Sequence, residues 1–119
     1  MAVGVDTTSM DVAERVHLMP VGYENDRIVL PAMRFRADRV VLLEYEDETD
    51  HPSYAETVRE RLGEEGIDYE TVQCDIFDLY DSIGTVAELA TRFSDHEVYV
   101  NLASGSKVTA IGGMIACMA

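Results

Sequence analysis

A serine, a glycine, a second serine and a lysine stand in a row at Ser104-Gly105-Ser106-Lys107, directly before an apolar segment that runs from Val108 to Ala119. At a helix start, such a row favours an anion: unpaired N–H groups and the positive end of the helix dipole point at it. Two hydroxyls and an ammonium complete a phosphate-sized donor set, and Gly105 lets the backbone come close. Lys107 is the only lysine in a chain whose 23 acidic and 9 basic residues leave a formal net charge of −14. Its placement makes a local exception to a repulsive field, and a phosphate-bearing ligand is the natural reading. The same residues also fit a plain helix N-cap, with Ser104 or Ser106 capping and Lys107 solvated.

Other chemistries find less support. The row is not a nucleotide-hydrolysing P-loop, because G-x-x-x-x-G-K-[ST] is absent and a serine separates Gly105 from Lys107; the dinucleotide fingerprint G-x-G-x-x-G is missing too. Ser104 to Lys107 spells S-x-x-K, without the companion elements of penicillin-recognising enzymes. No G-x-S-x-G elbow occurs, and His17, His51 and His96 lack metal-ligand spacing. The acidic loop from Glu44 to Asp50 could hold Mg²⁺ but reads as hydrated surface, so neither metal nor cofactor is assigned.

The elements that must position the row follow one repeating unit, a short apolar run, a polar turn and a helix-period segment, which is the pattern of βα units in a parallel sheet. The first strand reads Val16 to Val21, followed by a turn Gly22-Tyr23-Glu24-Asn25 and a helix face of Ile28, Ala32, Met33 and Phe35, with Pro31 expected in the opening turn. The second strand is Arg39 to Tyr45. Ser53 with Glu56 makes a capping box for the second helix, Tyr54, Val58 and Leu62 form its buried stripe, and Gly66 ends it. A third strand spans Asp68 to Ile76, and a third helix shows Ile83, Val86, Leu89, Ala90 and Phe93 at helical spacing. The fourth strand, Glu97 to Leu102, runs into the Ser-Gly-Ser-Lys row. Residues 1–13 read as a tail, and residues 14–119 as one domain whose sheet stops short, with a fifth strand expected beyond Ala119.

Right-handed crossovers between four successive parallel strands favour the order 3-2-1-4, reversing between strands one and four. Ligands bind open α/β sheets at the carboxyl ends of the strands where the order reverses. The candidate segments are therefore Gly22 to Arg27 and Asn101 to Lys107. Topology and local chemistry agree, since these are also the most polar, glycine-containing strand ends.

Bulk composition sets the setting. At 119 residues and 47% hydrophobic content the chain can bury a core. Its acidity argues against a general nucleic-acid surface, which needs basic patches. Eight of the nine basic residues are Arg, and this acid-rich, lysine-poor balance looks like proteins of halophilic archaea, whose carboxylate surfaces stay hydrated in concentrated salt. Cys74 and Cys117 show no disulfide framework and read as core residues in a reducing, cytoplasmic compartment. The six tyrosines read mostly as core or strand residues, with Tyr23 alone suited to stack on a base.

With these residues in view, the sequence resembles the CARF (CRISPR-associated Rossmann-fold) domain over about residues 14–119. The resemblance rests on Val21-Gly22-Tyr23-Glu24-Asn25-Asp26 after strand one and Asn101-Leu102-Ala103-Ser104-Gly105-Ser106-Lys107 after strand four. It is greatest to haloarchaeal regulators with a CARF-like N-terminal domain and a C-terminal winged helix. The resemblance implies a Rossmann-like three-layer α/β fold, binding of a cyclic oligoadenylate across a homodimer two-fold, and an attached effector through which any DNA contact is made. Ser104, Gly105, Ser106 and Lys107 would hold phosphates or ribose, with Gly22 and Tyr23 on the opposite wall and Asn101 at the strand end. The competing expectations are a metal-independent nuclease that cuts the cyclic ligand, using Ser104, Ser106 or Lys107 to position the scissile phosphate, and a ligand-free dimerisation module. Gly112-Gly113 with Met114 could give a close dimer contact, but burial under the strand expected beyond Ala119 is the favoured reading.

Overall fold

The computed structural model describes residues 13–22, 24–45 and 52–118. Its elements alternate: β1 (Arg15–Pro20), α1 (Asp26–Arg34), β2 (Arg39–Glu44), α2 (Pro52–Glu64), β3 (Asp68–Gln73), α3 (Leu79–Arg92), β4 (Glu97–Val100) and α4 (Lys107–Met118). The strands form one parallel sheet in the order β3-β2-β1-β4. The reversal expected between strands one and four is therefore present.

Alternation along the two central strands builds both cores, as period-two geometry requires of a sheet covered on both faces. Met19, Val40 and Leu42 pack with Ile28, Val29 and Ala32 of α1 and Val58 and Leu62 of α2. On the other face Val16, Leu18, Val41 and Leu43 pack with Val86, Leu89 and Phe93 of α3, and Ala116 of α4 joins them. The result is three layers.

Helix ends follow local chemistry. α2 closes in a Schellman motif, with Gly66 at φ 72° and the N–H groups of Gly66 and Ile67 donating to the carbonyls of Gly63 and Leu62. α1 closes in the same motif, with the N–H groups of Arg36 and Ala37 donating to Met33 and Ala32, yet the left-handed position is held by Arg36 at φ 55°. α3 starts at an unforeseen cap, the Asp78 side chain accepting from the Asp81 N–H at 2.9 Å.

Several expectations need correction. Pro31 lies inside α1, because that helix already starts at Asp26. The buried face of α1 is Ile28, Val29 and Ala32, while Met33, beside that stripe, and Phe35, the C-cap residue past the last helical turn, are exposed. α2 opens at Pro52, one residue before the expected Ser53 cap, with proline in the first turn where its missing N–H is tolerated. β3 and β4 end at Gln73 and Val100, before Ile76 and Leu102. Cys74 is buried but Cys117 is exposed. Tyr45, Tyr69, Tyr80 and Tyr99 are all exposed. Gly112 and Gly113 are spent inside the chain: a Cβ on Gly112 would meet Ser82 Cβ at 2.9 Å, and one on Gly113 would meet Leu102 and Val100 at 3.1 Å.

Candidate functional site

The chain leaves β1 at Pro20 and β4 at Val100, and the two following turns are in backbone contact. A Cβ on Gly22 would stand 3.0 Å from the Gly105 carbonyl oxygen, 3.1 Å from its nitrogen and 3.2 Å from its Cα. A Cβ on Gly105, at φ +78°, would stand 2.5 Å from Pro20 Cβ and 2.6 Å from Thr109 Oγ1. Only glycine fits both places, so the turns touch where an open cleft was expected between them. Tyr23, the expected stacking ring, lies outside the described residues.

Asn101 is the bracket of the β4 turn. Its Nδ2 donates to the Arg27 carbonyl at 2.7 Å, and its Oδ1 accepts from the N–H groups of Ala103 at 2.8 Å and Ser104 at 3.1 Å. Arg27 answers from α1 by donating to the Ala103 carbonyl at 3.1 Å, while its Nε pairs with Glu24. The N-terminus of α1 is thereby tied to the loop that leads into α4. Asn25, just ahead of α1, makes no side-chain cap and keeps a buried Oδ1 without a partner.

Ser106 is the N-cap of α4. Its Oγ accepts from the Thr109 N–H at 3.1 Å, and Thr109 Oγ1 accepts from the Ser106 N–H at 2.8 Å, a reciprocal pair of the capping-box kind. The Ser106 hydroxyl also donates to the Ile76 carbonyl, pinning the β3 exit loop to the helix start. The capping alternative thus describes Ser106, whose hydroxyl is fully engaged. Ser104 differs: it is 5% exposed, and its Oγ has no hydrogen-bond partner. A buried hydroxyl without a partner costs free energy, about 1–3 kcal/mol, until something pairs with it.

Lys107 is exposed at the first position of α4. No ion pair reaches it among the described residues. A cation at a helix N-terminus opposes the macrodipole. The first turn also leaves the N–H groups of Lys107 and Val108 without intrahelical acceptors. An anion at this point offsets both penalties.

The structure therefore brings Gly22, Asn101, Ser104, Gly105, Ser106 and Lys107 together. It gives particular roles to Asn25 and Arg27, which lie within the expected Gly22 to Arg27 segment without having been assigned one, and adds the Ile76 carbonyl from outside both segments; an asparagine directly before a helix is the one local signal. Candidate nucleophiles and metals fare differently. Burial pushes the Cys74 thiol up from its ordinary range, against the pull of a hydrogen bond with Thr85. Among the described residues no cluster of His, Cys, Asp and Glu could hold a metal ion. Glu44 gives its carboxylate to Arg59 and Thr71, and residues 46–50 lie outside the described residues.

A parallel 3-2-1-4 sheet with helices on both faces defines a Rossmann-like α/β domain. Residues 15–119 match the family HFX_2341_N:-like, N-terminal, and the chain belongs to it. The Methanocaldococcus jannaschii protein MJ1513 is 32% identical over 111 residues, a match covering 87% of this chain and 33% of that protein. The structure of Can2 from Sulfobacillus thermosulfidooxidans, in complex with cyclic tetra-adenylate, superposes with a TM-score of 0.70 at 16% identity, covering 87% of this chain and 29% of Can2. VC1899 from Vibrio cholerae superposes with a TM-score of 0.73 at 14% identity, covering 87% and 28%. The likeness to Can2 supports a CARF-like fold. The chain spans about a third of the length of MJ1513. Among the described residues, no helix is long and apolar enough to cross a membrane.

Proposed function

We propose that this chain is the ligand-sensing domain of a regulator and binds a phosphate-bearing nucleotide, of the cyclic oligoadenylate class, at the C-terminal ends of β1 and β4. One observation carries the reading: the Gly22 and Gly105 turns meet at the sheet's reversal point, directly beside a helix N-terminus whose lysine has no carboxylate partner among the described residues. The N–H groups of Lys107 and Val108, the Lys107 ammonium and the free Ser104 hydroxyl are the contacts. Asn101 and Ser106 act as posts that shape the loop, Gly22 packs against it from the β1 side, and Tyr23, outside the described residues, is assigned the role of stacking on a base. The cyclic tetra-adenylate held by Can2 on the same fold favours that ligand class. In this reading the domain works as a cytoplasmic homodimer of the kind found in haloarchaeal regulators, and DNA contact belongs to other parts of the longer relatives.

The test is a binding screen of cyclic oligoadenylates in concentrated potassium chloride, read by calorimetry and thermal unfolding. A ligand that binds only the native state raises its stability. Lys107→Ala is expected to lower affinity roughly tenfold or more while changing ligand-free stability by less than about 0.5 kcal/mol, as for an exposed side chain. Unchanged affinity in that variant, or no binding by any member of the class, overturns the assignment. Chromatography of the recovered ligand separates sensing from cleavage, since a nuclease leaves linear products.

A further inference from the structure

The eight arginines of this chain divide into two groups. Arg27, Arg39, Arg59, Arg61 and Arg92 each pair with a carboxylate. Arg15, Arg34 and Arg36 have no carboxylate partner among the described residues, although acidic residues outnumber basic ones 23 to 9. All three unpaired arginines line one groove of about 920 Å³ between the C-terminal end of α1 and the flank of β1 and β4. Chance would scatter them.

Two independent features point to a ligand there. The first is His17, which lines the groove, is 4% exposed, and has an Nε2 with no hydrogen-bond partner. Burial, assisted by the Arg15 charge and opposed by Asp38, holds its pKa below the usual histidine value, so the ring is neutral near pH 7. The second is the Arg36 backbone. The Schellman motifs that end α1 and α2 are built alike, and where α2 uses Gly66 in the left-handed position, α1 uses Arg36. An L-residue there costs about 1–2 kcal/mol, and the residue that takes this position is one of those lining the groove. The two nearby carboxylates are occupied: Asp38 accepts from the Arg15 N–H at 2.8 Å, and Glu97 from the Tyr99 hydroxyl at 2.8 Å.

The apolar walls fix the other half of the ligand. Phe35 is 60% exposed and Tyr99 46% exposed, with the Tyr99 ring 5.2 Å from that of His17. Exposed rings beside guanidinium groups suit a planar, electron-rich group, and a groove of about this size lies within the usual range for small-molecule sites. Guanidinium forks match phosphate oxygens. We propose that this groove, which borders the strand-end site at Asn101 but includes neither Ser104 nor Lys107 in its lining, is a second ligand site that takes a nucleoside polyphosphate: phosphates on Arg15, Arg34 and Arg36, base against Phe35 and Tyr99, and a hydrogen bond to His17 Nε2.

The experiment titrates the full chain with ATP and, separately, with tripolyphosphate. ATP is expected to saturate one site, and tripolyphosphate to bind more weakly because it has no ring to stack. Arg36→Gly places glycine where the backbone already favours it, so the variant folds; it is expected to lose roughly tenfold or more in ATP affinity. Lys107→Ala, which alters the crevice, is expected to leave ATP affinity unchanged. Absence of saturable ATP binding, equal affinity in Arg36→Gly, loss of ATP binding in Lys107→Ala, or equal binding of tripolyphosphate and ATP each overturns the proposal.

Discussion

Ser104 and Ser106 stand two residues apart in one loop and meet opposite fates. Ser106 is consumed by a helix cap and the Ile76 carbonyl, while Ser104 is buried with its hydroxyl unspent. Spacing alone cannot separate them, because which serine becomes the cap depends on where α4 begins, and Thr109 decides that by closing the reciprocal pair. His17 is a second residue whose surroundings set its behaviour. Its folded pKa lies below the 6.5 of a free imidazole, chiefly through burial. The unfolded chain therefore takes up a proton that the folded chain resists, so stability is complete above about pH 6.5 and falls as pH drops through that value toward the folded pKa. In urea titrations between pH 8 and pH 5.5, the difference in stability between the natural chain and His17→Gln should shift toward the variant as the solution is acidified. A difference that stays constant with pH removes this account of His17.

At the scale of elements, α4 is where sequence and site meet, since its first turn is both cap and candidate anion seat. Ser106→Ala removes the cap acceptor and leaves the Ile76 carbonyl without its donor, so it is expected to cost about 1–2 kcal/mol in denaturant unfolding. A cost near zero would mean that the capping hydrogen bonds contribute nothing in solution. The strand order was legible because Val40-Val41-Leu42-Leu43 can only be a doubly covered strand and the polar turns after Val21 and Leu102 break the pattern cleanly. That the Gly22 and Gly105 turns are neighbours followed from that order, while their direct backbone contact did not. What stayed hidden was tertiary. Asn25 is the one local mark of a start at Asp26, and it makes no side-chain cap; with the helix running from there, Pro31 falls inside it, while Phe35 lies past its last residue. The convergence of Arg15, Arg34 and Arg36 was equally unreadable, because an arginine's lack of a carboxylate partner is a property of the folded surface.

The whole molecule carries an unresolved tension between charge and apolar surface. Ile111, Met114, Ile115 and Met118 fall at helical spacing along α4 and are 42–79% exposed, a continuous stripe left uncovered by the described residues. A second copy of the chain is its proposed cover, the glycine pair beneath being occupied by α3 and β4. Two copies at a net charge of −14 repel each other, so association on this stripe depends on screening. The screening length shrinks from about 30 Å at 0.01 M salt to about 3 Å at 1 M, while the apolar contribution strengthens with excluded salts. Sedimentation velocity should therefore find the monomer at low potassium chloride and the dimer at high, with Met114→Glu restoring the monomer throughout because each interface would then bury two unpaired carboxylates. A chain that is monomeric at every salt concentration, or whose dimer tolerates the glutamate, places the two-fold elsewhere. The association of copies would then have to be sought on another face of the sheet.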